Sequence, residues 1–543
     1  MPRGSATHPL LHYASEAAYP FYGLHQTVLV AVGWIVVHWP LGAGKALPRQ
    51  DTYPRLYFNG ESFLKWNSFL DKRERCWNVL LARRVRPALV SVLVLVLQGL
   101  AVASPMAAPA IHELVLDNGV RVVLYPLVTE PPIATFVLGI AAGYVDTPPG
   151  QPEVAWWAAE VPLKRLGWDE LLSRLEDMDG WADVRNSLEF TRYRLTVPLD
   201  RARQAMALAA ALVAAQNPVG ELGEADRAGL LEAWARRHSE ATSFAWDVGG
   251  ALLFPAHPYN WRSEPSVERV QAITGDDVAA FVERYHVPEK MLVLAVGDID
   301  PDAFFQWAQD TFGPLPPRTA PGRTYGPPAA LDERVEFHAY RELPLSVVEL
   351  AWQAPPLAHT DRPAMAVLAA LLGDSPTSRL RERLREDLGP TSEGTALYEP
   401  AVGVHAGRFD VIALVEPGKE DLAERVILEE IDRIRRGDLD EEELEHARRL
   451  ARDARVQTMR QSERAAENLS TGFLLTGDGR QELELADRLA TVTAEEVAAA
   501  VRRWLLPNRY VRVTVGPADS AEASAAGGPG GPPESENGSV AWP

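Results

Sequence analysis

The sequence predicts an α+β protein built twice over, two homologous halves in tandem, and three observations carry that expectation. Two distant stretches superpose without a gap: TGDDVAAFVERYHVPEKMLVLAVG from Thr274 and TAEEVAAAVRRWLLPNRYVRVTVG from Thr493 share Thr, Val, Ala-Ala, Val, Arg, Pro, Val and Gly. Each copy reads as a helix with Thr at its N-cap, a proline-marked stop and a following strand. Between the copies runs GPLPPRTAPGRTYGPPAA, the composition of a fairly stiff, exposed linker.

The elements follow in order. HELVLDNGVRVVLYPL reads as two short strands around an Asn-Gly turn. IATFVLGIAAGYVD is an apolar strand, and EFTRYRLTVPL alternates in the period of a half-buried one. DRARQAMALAAALVAAQ and EADRAGLLEAWARRHSEA keep apolar residues at helical spacing. The first half is expected over 111–317, the Pro-rich linker over 318–330 and the second half over 331–517. Residues 518–543, rich in Gly, Pro, Ser and Glu, cannot bury enough apolar surface to fold and are expected to be disordered.

Composition narrows the function classes. The chain has 543 residues, 47% hydrophobic and 24% charged, as in a folded soluble protein of several domains. A formal net charge of −20 argues against nucleic acid or an anionic membrane surface as the main partner, since both are polyanions. Cys76 is the only cysteine, which excludes a disulfide framework, a Cys-based zinc site and, with it, a Cys nucleophile in the folded halves. Neither a Gly-rich phosphate loop nor a G-x-S-x-G elbow is present.

Residues 83–110 contain arginines, an apolar run from Ala88 to Ala103 and then small residues, the grammar of a signal peptide. Residues 1–82 are therefore expected to be a mis-assigned or unstructured extension, with the true start near Val79 or Leu81. Export makes the protein periplasmic or secreted. Alternatively, residues 88–103 anchor it to the inner membrane, although that run is near the lower limit for a spanning helix.

YHVPEKMLVLAVGDIDPDAFFQWAQDTFGPLP closes the first half with Tyr285, Pro288 and Phe312-Gly313 in fixed places. With ALLFPAHPYNW, LDEEELEHARRLARD and SRLRERLREDLG, it resembles the insulinase (pitrilysin) family of zinc metallopeptidases. The resemblance implies that each half is a mostly antiparallel sheet packed with helices, and that the two halves close like a clamshell around a peptide. It also implies an inverted zinc motif, H-x-x-E-H, in which two imidazoles one helical turn apart hold the metal. The intervening glutamate is the general base, and a further glutamate downstream completes the coordination.

Here the sequence departs from the family. Counting from the Pro149-Gly150 loop, Trp156, Ala159 and Glu160 stand at the His, Glu and His positions, and none matches. An indole N–H has no lone pair for a metal, and a methyl group neither coordinates nor takes a proton. In LLEAWARRH, Glu232 or Ala233 stands at the third-ligand position. Glu160, Glu232 and His238 are the only weak metal candidates, so no cofactor is expected. Trp156 and Trp157 are expected to fill the volume of the absent site. His257 and His446 read as loop and surface positions. In the second half Arg385 matches an arginine that in the family reaches the substrate, while Ser392 replaces the accompanying tyrosine.

The resulting expectation is a non-catalytic family member. Its partner would be a homologous zinc-bearing subunit or a second copy, with peptides held without being cut, and the strand EFTRYRLTV near the sheet edge that receives them. Two other readings stay open: a structural assembly subunit without peptide affinity, and a zinc metalloendopeptidase with a rearranged site.

Overall fold

His112–Val115 (β1) and Arg121–Tyr125 (β2) pair antiparallel around Asn118-Gly119, as the Asn-Gly signal requires. Asn118 does more than turn the chain: its Nδ2 donates to the carbonyls of Phe312 and Leu315, tying the hairpin to the end of the first half. The computed structural model describes residues 110–517 except 149, 167, 215–221, 261–266 and 374–377. The N-terminal extension, nearly all of the export segment and the C-terminal tail lie outside the described residues. Among the described residues, no helix is long and apolar enough to cross a membrane.

The first half continues with Ile133–Ile140 (β3), Glu153–Leu166 (α1), Trp168–Glu176 (α2), Trp181–Asn186 (β4), Thr191–Pro198 (β5) and Ala202–Ala214 (α3). Next come Glu224–Ser239 (α4), Ala241–Leu253 (α5), Val267–Ala272 (α6), Gly275–Tyr285 (α7), Met291–Val296 (β6) and Pro301–Phe312 (α8). The second half comprises Val335–Arg341 (β7), Ser346–Ala354 (β8), Arg362–Gly373 (α9), Arg379–Leu388 (α10), Glu393–Gly403 (β9) and Ala406–Val415 (β10). It closes with Glu420–Arg435 (α11), Glu441–Arg460 (α12), Ser462–Thr476 (α13), Gln481–Ala490 (α14), Ala494–Trp504 (α15) and Val511–Pro517 (β11).

The two halves match element for element from β2 to β6 and from β7 to β11, with β1 and α8 outside the match. The first sheet runs β1-β2-β6-β3-β5-β4 and the second β7-β11-β8-β10-β9, each with one parallel pair in an otherwise antiparallel ladder. The parallel pairs, β2 with β6 and β7 with β11, join the first and last strands of each repeat. Both superposed helices begin with the same reciprocal cap. Thr274 Oγ1 accepts from Asp277 N and Thr493 Oγ1 from Glu496 N, each at 3.2 Å, while the acidic side chains accept from the threonine N–H groups.

Each half lends one helix to the other. α5 packs on β8 and β11 of the second sheet, and α13 packs on β3 and β6 of the first, so both sheets are covered on both faces. This explains why β6 and β8 are buried almost without alternation along their lengths. Gly139 in β3 is needed for the approach of α13, because a Cβ there would lie 2.8 Å from Leu474 Cδ1. Where α5 meets the second sheet, Arg408 is buried between Asp410 and Glu349 and stacks on Trp246, 3.8 Å from its ring centroid. Burial there pushes the Glu349 carboxyl well above its ordinary range.

Residues 318–330 are irregular and largely exposed, but Arg323 turns inward. It forms ion pairs of 2.8 Å with both Asp146 and Glu189, so the segment is pinned to the first half and is not a free spacer.

Candidate functional site

Helix α1 is fixed to the β4–β5 hairpin by two of its own carbonyls, one turn apart on one face. Asn186 Nδ2 donates to Ala155 O and the Tyr193 hydroxyl donates to Ala159 O, each at 3.0 Å. Burial, with Glu160 acting in the same direction, pushes the Tyr193 phenol above its usual range, so it remains a donor. At the start of α1, Glu153 pairs with Arg269 of α6 at 2.7 Å. At the matching start of α9, Arg362 pairs with Glu482 of α14 at 2.7 Å. The duplication thus keeps this ion pair with its charges exchanged.

A cleft of about 380 Å³ opens between α1, the end of β4, α4 and α5. Trp156, Ala159 and Glu160 of α1 line it, facing Ala233 and Arg237 of α4 and Asp247 of α5. Trp157 does not: it is 1% exposed and belongs to the core behind α1, with its ring set edge-on to Trp156 at 4.7 Å. The two tryptophans therefore do not fill the site as expected. Their side chains diverge because neighbouring residues on a helix point about 100° apart, and a cleft remains.

The candidate ligands do not converge. Glu232 is exposed on the outer face of α4 and pairs with Arg236 at 2.8 Å, one helical turn away. Ala233, and not Glu232, lines the cleft together with Glu160. The His238 ring packs edge-on between Trp234 and Phe244, with Nε2 3.3 Å from Asp247 Oδ2. Both oxygens of Asp247 accept from Arg237, at 2.6 and 2.7 Å. No group of three or more His, Cys, Asp or Glu side chains suited to a metal occurs among the described residues. The cleft residues Trp156, Ala159, Ala233 and Glu160, which the resemblance aligns with coordinating and basic positions, offer an indole, two methyl groups and one carboxylate, a set that does not fit zinc.

Two features were not legible in the sequence. The free edge of the first sheet beside the cleft is β4, whereas the strand containing EFTRYRLTV is internal, paired to β3 on one side and β4 on the other. The phrase WADVRNSLEF holds a tight hairpin turn, Ser187 N to Phe190 O at 2.8 Å, but its mixed polarity hides the strand before it. Second, a larger cavity of about 470 Å³ adjoins the cleft, sharing Arg185, Ser187, Leu188 and Arg237 with it, and is walled by both halves. Arg385 lines neither space. It is exposed on α10, 3.3 Å from Glu393, and Ser392 is fully buried.

Comparisons with known proteins agree with this architecture. Residues 272–450 match the family described as peptidase M16 inactive domain, a stretch that does not include α1, β4 or α4. A Mycobacterium tuberculosis protein named as an uncharacterized zinc protease is 26% identical over 428 residues, covering 76% of this chain and 95% of that one. A protease from Helicobacter pylori of known structure superposes with a TM-score of 0.69 at 18% identity, covering 76% of this chain and all of its own. The periplasmic protease PqqL from Escherichia coli superposes with a TM-score of 0.62 at 17% identity, over 77% of this chain and 49% of its own. With its duplicated sheets, exchanged helices and these relatives, the chain is similar in sequence and fold to the insulinase (pitrilysin, M16) peptidase family.

Proposed function

We propose that this protein is a non-catalytic member of its family that holds extended peptides in its interior and serves as the partner of a zinc-motif-bearing homologue in the periplasm. The observation that carries the reading is the cleft wall itself: Trp156, Ala159 and Ala233 line it, and the resemblance sets Trp156 at a ligand position, Ala159 at the base position and Ala233 or Glu232 at the third-ligand position. None of the three that line the cleft can bind zinc or accept a proton. The β4 edge beside that wall keeps its main-chain donors and acceptors available for an added strand, so peptide can be held without being cut. The periplasmic setting of PqqL supports the location.

The test is zinc content of the purified chain, with cleavage of a mixed peptide library measured with and without chelator. Zinc near zero, no chelator-sensitive cleavage and a stable complex with a homologue bearing H-x-x-E-H are expected. Zinc near one per chain with chelator-sensitive cleavage would sink the reading.

A further inference from the structure

We infer that the larger cavity receives a carboxylate of the held peptide, so that the protein selects acidic peptides. The inference rests on the peptide-holding reading above and adds the class of peptide. Its basis is that two carboxylates in the cavity wall, Glu467 and Glu482, are each shared by two guanidinium groups, one pair from the first half and one from the second. Glu467 of α13 is shared by Arg185 and Arg192, at 2.9 and 2.8 Å. Glu482 of α14 is shared by Arg362 and Arg455, each at 2.7 Å. Arg185, Arg192 and Arg362 line the cavity directly.

Each cluster therefore holds a positive charge that its own carboxylate does not neutralise. Arg194, next to the first cluster, is matched by its own salt bridge to Asp183. Arg237, also in the lining, is matched by Asp247. Glu399 opposes the trend as a third carboxylate in the wall, with Oε1 accepting from Ala401 N at 2.9 Å. The lining still has four arginines against three glutamates, inside a chain whose overall charge is −20.

A second observation points to a missing acceptor. Arg192 is 2% exposed, yet its Nε–H has no hydrogen-bond partner. Its Nη1 contacts to Glu467 O, Ser470 Oγ and Thr471 Oγ1 are long, at 3.2 to 3.5 Å. A buried donor left unmade is costly, and a guanidinium is satisfied best by a carboxylate. Either an Asp/Glu side chain or a free C-terminus supplies that group.

The experiment is fluorescence anisotropy of the purified chain with labelled ten-residue peptides that are acidic, neutral or basic, each with a free or an amidated C-terminus. Acidic peptides are expected to bind at least tenfold more tightly than basic ones, with the preference shrinking in high salt. Tolerance of amidation assigns the side chain, and loss on amidation assigns the C-terminus; both support a carboxylate site. Arg185→Gln, on the exposed edge strand, should weaken acidic binding about fivefold and neutral binding less, and Glu467→Gln should strengthen acidic binding. Equal or tighter binding of basic peptides overturns the charge preference while leaving peptide holding intact. Absence of binding by every peptide overturns peptide holding, and the carboxylate site with it.

Discussion

Arg323 of the linker and Glu189 of the β4–β5 turn form a 2.8 Å ion pair, and Glu189 is completely buried. The same carboxylate accepts from the Tyr259 hydroxyl and from Val404 N, at the tip of the β9–β10 hairpin. His405 N in turn donates to the Tyr259 oxygen at 3.2 Å. One glutamate thus joins the first half, the linker and the second half on one side of the interior space.

Removing Arg323 should therefore loosen the closed arrangement. Arg323→Ala leaves Glu189 buried without its cation and is expected to cost about 3–5 kcal/mol in chemical denaturation. Arg323→Lys should recover only part of that, because a point charge cannot span Asp146 and Glu189 as a planar fork does. A loss within 0.5 kcal/mol of zero, roughly the range of ordinary surface substitutions, would mean that the pair does not hold the halves.

His286 at the end of α7 predicts a pH dependence. Its ring is buried, neither nitrogen has a partner, and burial pushes its pKa down to about 3. The neutral form is the folded one, so its contribution is complete above the unfolded value near 6.5 and is lost as pH falls toward 3. Compared with His286→Phe, the native chain should lose a few kcal/mol of unfolding free energy over that interval, following about 1.4 kcal/mol per pH unit. A pH-independent difference would show that the ring charges without penalty.

Restoring a metal site tests the register of α4. The quadruple variant W156H/A159E/E160H/A233E should bind one zinc per chain, seen by competition with a chromogenic chelator. The triple variant that keeps Ala233 relies on native Glu232, which faces solvent, and should bind at least tenfold more weakly. Equal affinity would place Glu232, and not Ala233, at the third position.

The paired caps offer a test of the repeat. Thr274→Ala and Thr493→Ala should each cost about 1 kcal/mol, because each threonine accepts from the third residue of its helix. The losses should add in the double variant, the two helices lying in separate cores. A marked departure from additivity, measured by urea denaturation, would mean that the caps are coupled.

Much of the fold was legible because its signals are local. The Asn118-Gly119 turn, the threonine caps and the apolar periods of α3 and α4 depend on residues within a few positions of one another. Strand β4 was missed because an edge strand beside a cleft has no strict alternation: Trp181, Asp183 and Arg185 lie on one side, Ala182, Val184 and Asn186 on the other, and none is fully buried.

The family resemblance, the repeat and the absence of histidine from α1 follow from residue identity and order alone, and an indole or a methyl group cannot coordinate a metal in any fold. The tertiary structure alone decided that Ala233 and not Glu232 lines the cleft with Glu160, that Trp157 turns into the core, and that β4 forms the edge. It also decided that arginines from both halves wall one cavity. These are facts of facing and distance: one position along a helix changes direction by about 100°, and partners such as Arg192 and Glu467 are 275 residues apart in the chain.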